Sequence, residues 1–186
     1  MRLVLLLLLA LSLSACQLWP KPPLYYAFGG GGYQLLTQWP GPSQQLLQQV
    51  QFKTAKQQQE FLLSVQLLPE QMLLVALSPL GQELGRVELT ADGRLQHQGQ
   101  APFSEPAFAL QLLAQMQWSL WPVAALQPRF SGLLLQEKQQ QRLLLDSKLQ
   151  QLLVIQGAGG PVAGQITDIT QPHYQLRLTT LQQDFL

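Results

Sequence analysis

The chain has 186 residues, with 11 basic and 10 acidic side chains, a formal net charge of +1 and only 11% charged residues. So even a balance leaves no electrostatic footprint for nucleic acid, and nucleic-acid binding is not expected. Glutamine supplies roughly a sixth of the residues, standing where charges make up ~25% of an ordinary chain, and the length suffices for one domain with its own core.

Arg2 precedes an unbroken apolar run from Leu3 to Leu11. A membrane-spanning helix needs roughly 17–25 apolar residues, so residues 1–15 read as a signal peptide. Leu13-Ser14-Ala15-Cys16 closes it with small residues before the only cysteine, and it resembles the bacterial lipobox. That resemblance implies a diacylglycerol thioether on Cys16, cleavage just before it and acylation of the new amino group. Each buried methylene contributes about 0.8 kcal/mol, so several acyl chains make a stable anchor. The plain alternative is a secretory leader that leaves Cys16 as a stray thiol, a liability in an oxidising compartment. In enteric-type sorting an Asp after the cysteine favours inner-membrane retention. Gln17 therefore points to the outer membrane of a Gram-negative bacterium, with the protein facing the periplasm.

Residues 16–32 carry Pro20, Pro22, Pro23 and the run Gly29 to Gly32. Prolines that stiffen and glycines that loosen read as a tether, leaving 33–186 as one β domain. No Lys-Ser or Lys-Thr follows the glycines, so they are not read as a phosphate-cradling loop. From Tyr33 the period becomes two: Val50 and Phe52 against Gln49, Gln51 and Lys53, then Phe61, Leu63, Val65 and Leu67 against Ser64 and Gln66. Leu68 to Gln71 turns at Pro69, and Met72 to Leu77 has apolar groups on both faces, which predicts cover on both sides. Ser78-Pro79-Leu80-Gly81 turns again. Val87 and Leu89 alternate with Arg86, Glu88 and Thr90 before the Asp92-Gly93 hairpin signal, and Arg94 to Gln98 pairs back.

The period then changes. Ser104 is the expected N-cap, Pro106 suits a first turn, and Ala109, Leu112, Leu113, Met116 and Leu120 repeat at helical spacing until Pro122. Phe108, Leu110, Trp118 and Trp121 widen the apolar face, leaving Gln111, Gln115 and Ser119 to look outward. Sheet resumes in Phe130 to Glu137, Arg142 to Asp146 and Leu149 to Gln156, with Leu149, Leu153 and Ile155 on one face. Gly157 to Pro161 is a loop, Gln165 to Thr170 a weak strand, and Tyr174, Leu176 and Leu178 alternate with Gln175, Arg177 and Thr179. The expected fold is mainly β with helix: a curved antiparallel half-barrel whose concave face receives one dominant apolar helix.

Leu112 to Pro122, Leu77 to Gln82, Asp92-Gly93 and the closing Ile166, Tyr174-Gln175-Leu176 and Thr179-Thr180-Leu181 together resemble a bacterial lipoprotein family of uncharacterised function found in aryl polyene gene clusters. That family is similar to the lipoprotein carriers and receptors LolA and LolB, half-barrels closed by helices over a lipid-accepting cavity. The resemblance implies the same architecture here, a lipid or amphiphile as ligand, and a LolA-like periplasmic carrier or a product of the gene cluster as partner.

Chemistry is sparse. His97 and His173 sit in no metal-ligand spacing and a single cysteine cannot build a thiolate cluster, so no metal, cofactor or catalytic residue is expected. No Gly-x-Ser-x-Gly elbow marks a hydrolase, though triads assemble from distant positions. The candidate cavity lining is Leu63, Val65, Leu74, Leu113, Met116, Trp118, Trp121, Leu153 and Ile155; each taken alone reads equally as core. Leu80 in its turn is the candidate contact with membrane or partner, unless it folds back on the sheet. Two functions stand: a non-enzymatic module that binds or relays a lipid-like molecule, such as an aryl polyene lipid or a lipoprotein acyl chain, and an adaptor that holds a biosynthetic or export complex. A cavity favours the first, an exposed apolar patch the second.

Overall fold

A strand that alternates apolar and polar side chains buries one face and wets the other, and the chain assembles such strands into two antiparallel sheets. The structure, a computed structural model, describes residues 24–186; the leader, Cys16, Gln17 and the prolines of the expected tether lie outside the described residues. In chain order the strands are β1 (Tyr25–Phe28), β2 (Gly31–Gln34), β3 (Gln44–Thr54), β4 (Gln58–Leu67), β5 (Gln71–Leu77), β6 (Glu83–Thr90) and β7 (Leu95–Gly99). Helices α1 (Pro106–Leu120) and α2 (Val123–Leu126) and a short 3-10 turn (Gln127–Arg129) follow. The chain closes with β8 (Phe130–Ser131), β9 (Leu133–Lys138), β10 (Gln141–Asp146), β11 (Gln151–Gln156), β12 (Ile166–Gln171) and β13 (Tyr174–Phe185).

The large sheet runs β7-β6-β5-β4-β3-β13-β12-β11-β10-β9, and its two end strands do not meet, so it stays open. Register explains the core. Leu46 lies opposite Val65, Val65 opposite Leu74, and Leu74 opposite Val87, a row of four buried residues on the face that α1 covers. Fully burying each such side chain contributes about 1.5–3 kcal/mol. On the opposite, open face the row through Leu47, Ser64, Val75 and Arg86 is only half-buried. Cover on both sides of β5 is therefore not what forms. Met72, Leu74 and Ala76 are buried on the helix side, while Leu73, Val75 and Leu77 are half-buried on the other.

The glycine run differs from the expected tether. Gly29 and Gly30 take positive φ and make the turn of a β1–β2 hairpin. Gly31 and Gly32 belong to β2, where a Cβ would collide with the Ser131 carbonyl and the Tyr25 ring. Residues 24–32 are therefore part of the packed structure, joined to β8 through Gly32–Ser131 and Tyr33–Phe130. The single strand expected from Phe130 to Glu137 is split at Gly132, whose φ of 69° turns the chain from the small sheet to the large one. Leu149 also departs from expectation: it sits at φ 62° in the β10–β11 turn, 66% exposed, and does not join Leu153 and Ile155.

Helix α1 begins after Glu105, not Ser104, and no side chain caps it. Two of its C-terminal carbonyls are satisfied from outside the helix. The Arg142 Nη1 donates to the Trp118 carbonyl at 2.6 Å, and the Gly159 N–H donates to the Ser119 carbonyl at 3.0 Å. A buried guanidinium thus stands where the helix dipole favours a cation, held by Glu137 at 2.7 Å.

Candidate functional site

The two flanks of α1 are built differently. On one, Trp118 is fully buried among Tyr26, Phe28, Tyr33 and Phe130, with ring centroids 5.6–5.9 Å away. Its indole N–H finds no hydrogen-bond acceptor. Such an orphan costs about 1–3 kcal/mol, which several aromatic contacts of about 0.5–1.5 kcal/mol each offset. Beside it Gln117 behaves like a strand partner. Its Oε1 accepts from the Tyr33 hydroxyl (2.7 Å) and the Leu36 N–H (3.0 Å), and its Nε2 donates to the Leu36 carbonyl (2.7 Å). Trp121 meets Trp39 edge-on at 4.6 Å and donates to the Gln38 carbonyl. Burial pushes the Tyr33 hydroxyl well above the usual phenol range and that of Tyr26 up to about 12. This flank is sealed.

The other flank carries a cavity of about 30 Å³ between α1 and strands β3, β4, β5, β12 and β13, room for about one water-sized group. Leu112, Met116 and Leu120 line it from the helix; Leu63, Leu74, Ile169, Leu176 and Leu178 line it from the sheet. Gln48, Gln115, Ser119 and Thr167 add polar groups, and all four are buried. Gln48 donates to the Thr180 hydroxyl at 3.2 Å, and the Ser119 hydroxyl donates back to the Gln115 carbonyl at 2.8 Å.

At the rim of this seam three amides meet one phenol. Gln111 and Gln171 lie 2.8 and 2.7 Å from the Tyr174 oxygen, and Gln115 makes the shortest contact of the three. Burial raises the Tyr174 pKa above the usual phenol value, against the lowering by Gln115, Gln111 and Gln171.

Of the nine lining candidates, Leu63, Leu74 and Met116 reach the cavity wall. Val65, Leu113, Trp118, Trp121, Leu153 and Ile155 are buried in the core and do not. Sequence reasoning missed Gln115 and Ser119, expected to look outward and in fact buried, and it missed Gln48, Leu112, Leu120, Thr167, Ile169, Leu176 and Leu178 as lining. The doubled glutamines of β3 hold the overlooked signal: in a period-two strand, one of Gln48-Gln49 has to face inward.

Leu80 does not fold back. It stands 89% exposed at the tip of the β5–β6 turn, beside Gly81 at φ 81°. A polar depression of about 350 Å³ on the open face runs past Gln51, Lys53, Gln175 and the Arg177–Asp168 pair at 2.7 Å. Within it the Arg177 and Asp168 charges neutralise each other.

His97 lies on β7 and His173 in the turn before β13. Five strand spacings of about 4.8 Å each separate β7 from β13, roughly 24 Å of sheet. Among the described residues no group of three or more His, Cys, Asp and Glu is placed to hold a metal ion, and no helix is long and apolar enough to cross a membrane.

No curated protein matches the chain. A family model described as protein of unknown function (DUF3261) matches residues 45–182, from the start of β3 through the bulge of β13. The chain belongs to that family.

Proposed function

We propose that this chain is a non-enzymatic outer-membrane lipoprotein, anchored through Cys16, that takes up and relays a lipid-like molecule at the periplasmic face. In this reading the open sheet is a half-barrel of LolA/LolB type with α1 in its concave face. The ligand is an aryl polyene lipid or a lipoprotein acyl chain, delivered by a LolA-like carrier or a gene-cluster partner. The observation that carries the reading is the apolar seam beside α1 with a polar rim at one end.

At rest the seam is nearly filled, so uptake is coupled to its opening. Leu112, Met116 and Leu120 are half-buried there. Losing their remaining burial costs less than the about 1.5–3 kcal/mol of a full side chain each, whereas an acyl chain of about ten methylenes gains about 8 kcal/mol. Met116, unbranched and adaptable, is the side chain that yields most readily. Release reverses the balance once membrane offers equal burial. No bond is made or broken. Leu80 is the contact with membrane or carrier.

Native mass spectrometry of the gently purified full-length chain tests this: an amphiphile co-purifies, and Met116→Trp, which fills the seam, removes it. A chain that neither carries an amphiphile nor extracts one from vesicles refutes the reading. A second reading, the adaptor, is favoured by the half-buried Leu47, Leu62, Leu73, Val75 and Leu77 on the open face. It predicts that charge substitutions there abolish capture of gene-cluster products while Met116→Trp does not.

A further inference from the structure

The rim of the seam specifies more than a place. Gln111 and Gln115 stand one turn apart on α1, and Gln171 ends β12, yet all three amides converge on the Tyr174 oxygen. A phenol has one proton and two lone pairs, so three contacts are satisfied together when two amides donate and the third turns its carbonyl toward the phenolic proton. Each amide carries a second N–H and a carbonyl lone pair beyond this contact. The cluster therefore offers donors and acceptors alike and carries no formal charge. It also adjoins the apolar cavity, because Gln115 belongs to both and Leu112 and Met116 flank it on the helix. From Gln111 to Leu120 the seam follows nine residues of helix, about 14 Å.

We infer that Gln111, Gln115, Gln171 and Tyr174 form the head-group end of the seam and select an amphiphile whose head is uncharged and hydrogen-bonding, an ester, amide or hydroxyl, with its tail running under α1 toward Leu120. This rests on the amphiphile reading above and narrows its ligand class. A cationic or anionic head would leave water for a site with no counter-charge among its contacting side chains, and nothing there would offset its lost hydration. The raised Tyr174 pKa agrees, since even three amide contacts do not make this site favour negative charge. The Tyr174 ring is itself held in place, packed at 5.4 Å against Phe52.

The test titrates the full-length chain with 1-monopalmitoylglycerol, palmitate and palmitoylcholine, which share a tail and differ at the head, following tryptophan fluorescence. The glycerol ester binds at least about tenfold tighter than either charged probe, and Gln111→Leu combined with Gln171→Leu brings the three within about threefold while palmitate still binds. Both positions are half-buried, and a thermal melt reports that the double variant is folded. Gln111→Asn with Gln171→Asn, which shortens the amides without removing them, retains a measurable part of the preference. Equal binding of all three probes to the unaltered chain overturns the head-group assignment and leaves the amphiphile reading standing. Binding of none overturns the amphiphile reading itself.

Discussion

The two flanks of α1 share a helix and a sheet but obey different rules. Around Trp118 four aromatic rings pack together, and next to it Gln117 binds the backbone of Leu36 as firmly as another strand would. Around Met116 the neighbours are aliphatic chains, some buried and some half-buried, and three amides converge on the Tyr174 hydroxyl at the edge. The comparison teaches that a greasy helix is not uniformly a ligand surface. Tryptophan and satisfied amides fix a flank, and one unbranched side chain, Met116, beside a small void leaves the other adjustable.

Truncation separates the flanks most sharply. Trp118→Ala should cost about 3–5 kcal/mol in urea unfolding, because four rings lose their common neighbour. Met116→Ala, at a half-buried position, should cost no more than about 2 kcal/mol. Equal losses would erase the distinction. Next in size, Gln117→Leu strands the Tyr33 hydroxyl and both polar groups of Leu36, for about 2–3 kcal/mol in the same assay. Arg142→Met removes the donor at the Trp118 carbonyl and should cost about 1–2 kcal/mol.

Alkali sharpens the contrast further. A buried phenol whose folded pKa lies above its unfolded value of 10.0 keeps its proton longer in the folded state. Stability from Tyr26 is thus complete below pH 10 and is lost as pH rises toward about 12. Unfolding midpoints measured across that window should fall, and Tyr26→Phe should flatten the slope. The smallest effect is expected at Leu80. Leu80→Ser should change stability by less than about 0.5 kcal/mol and act, if the proposed contact holds, only on transfer between carrier and vesicle.

How much of this was legible beforehand follows from the kind of residue. Strands β3, β4 and β13 could be read because apolar and polar side chains alternate there, and the Asp92-Gly93 turn because Gly93 adopts the positive φ it advertises. The hairpin at residues 24–34 was hidden, since glycine serves a loose linker and a tight packing contact equally well; only the positions of Tyr25 and Ser131 distinguish them. Glutamine caused the other error. An amide is equally at home in water and in a saturated buried pair, so Gln44, Gln48, Gln115 and Gln117 gave no warning of burial. The site inherits that blindness, because its rim is made of amides; period shows which face the wall leucines share but not which of them border the void.

The early start of the packed chain sets a limit on movement. With Leu24 already hydrogen-bonded to Leu35, only seven residues lie between the fold and Cys16, eight Cα steps with a covalent reach of at most about 28 Å. If the thioether lies in the bilayer, the body is on a short leash, roughly one bilayer thickness long. It would graze the lipid surface instead of patrolling the periplasm, and a cargo partner would have to travel to it.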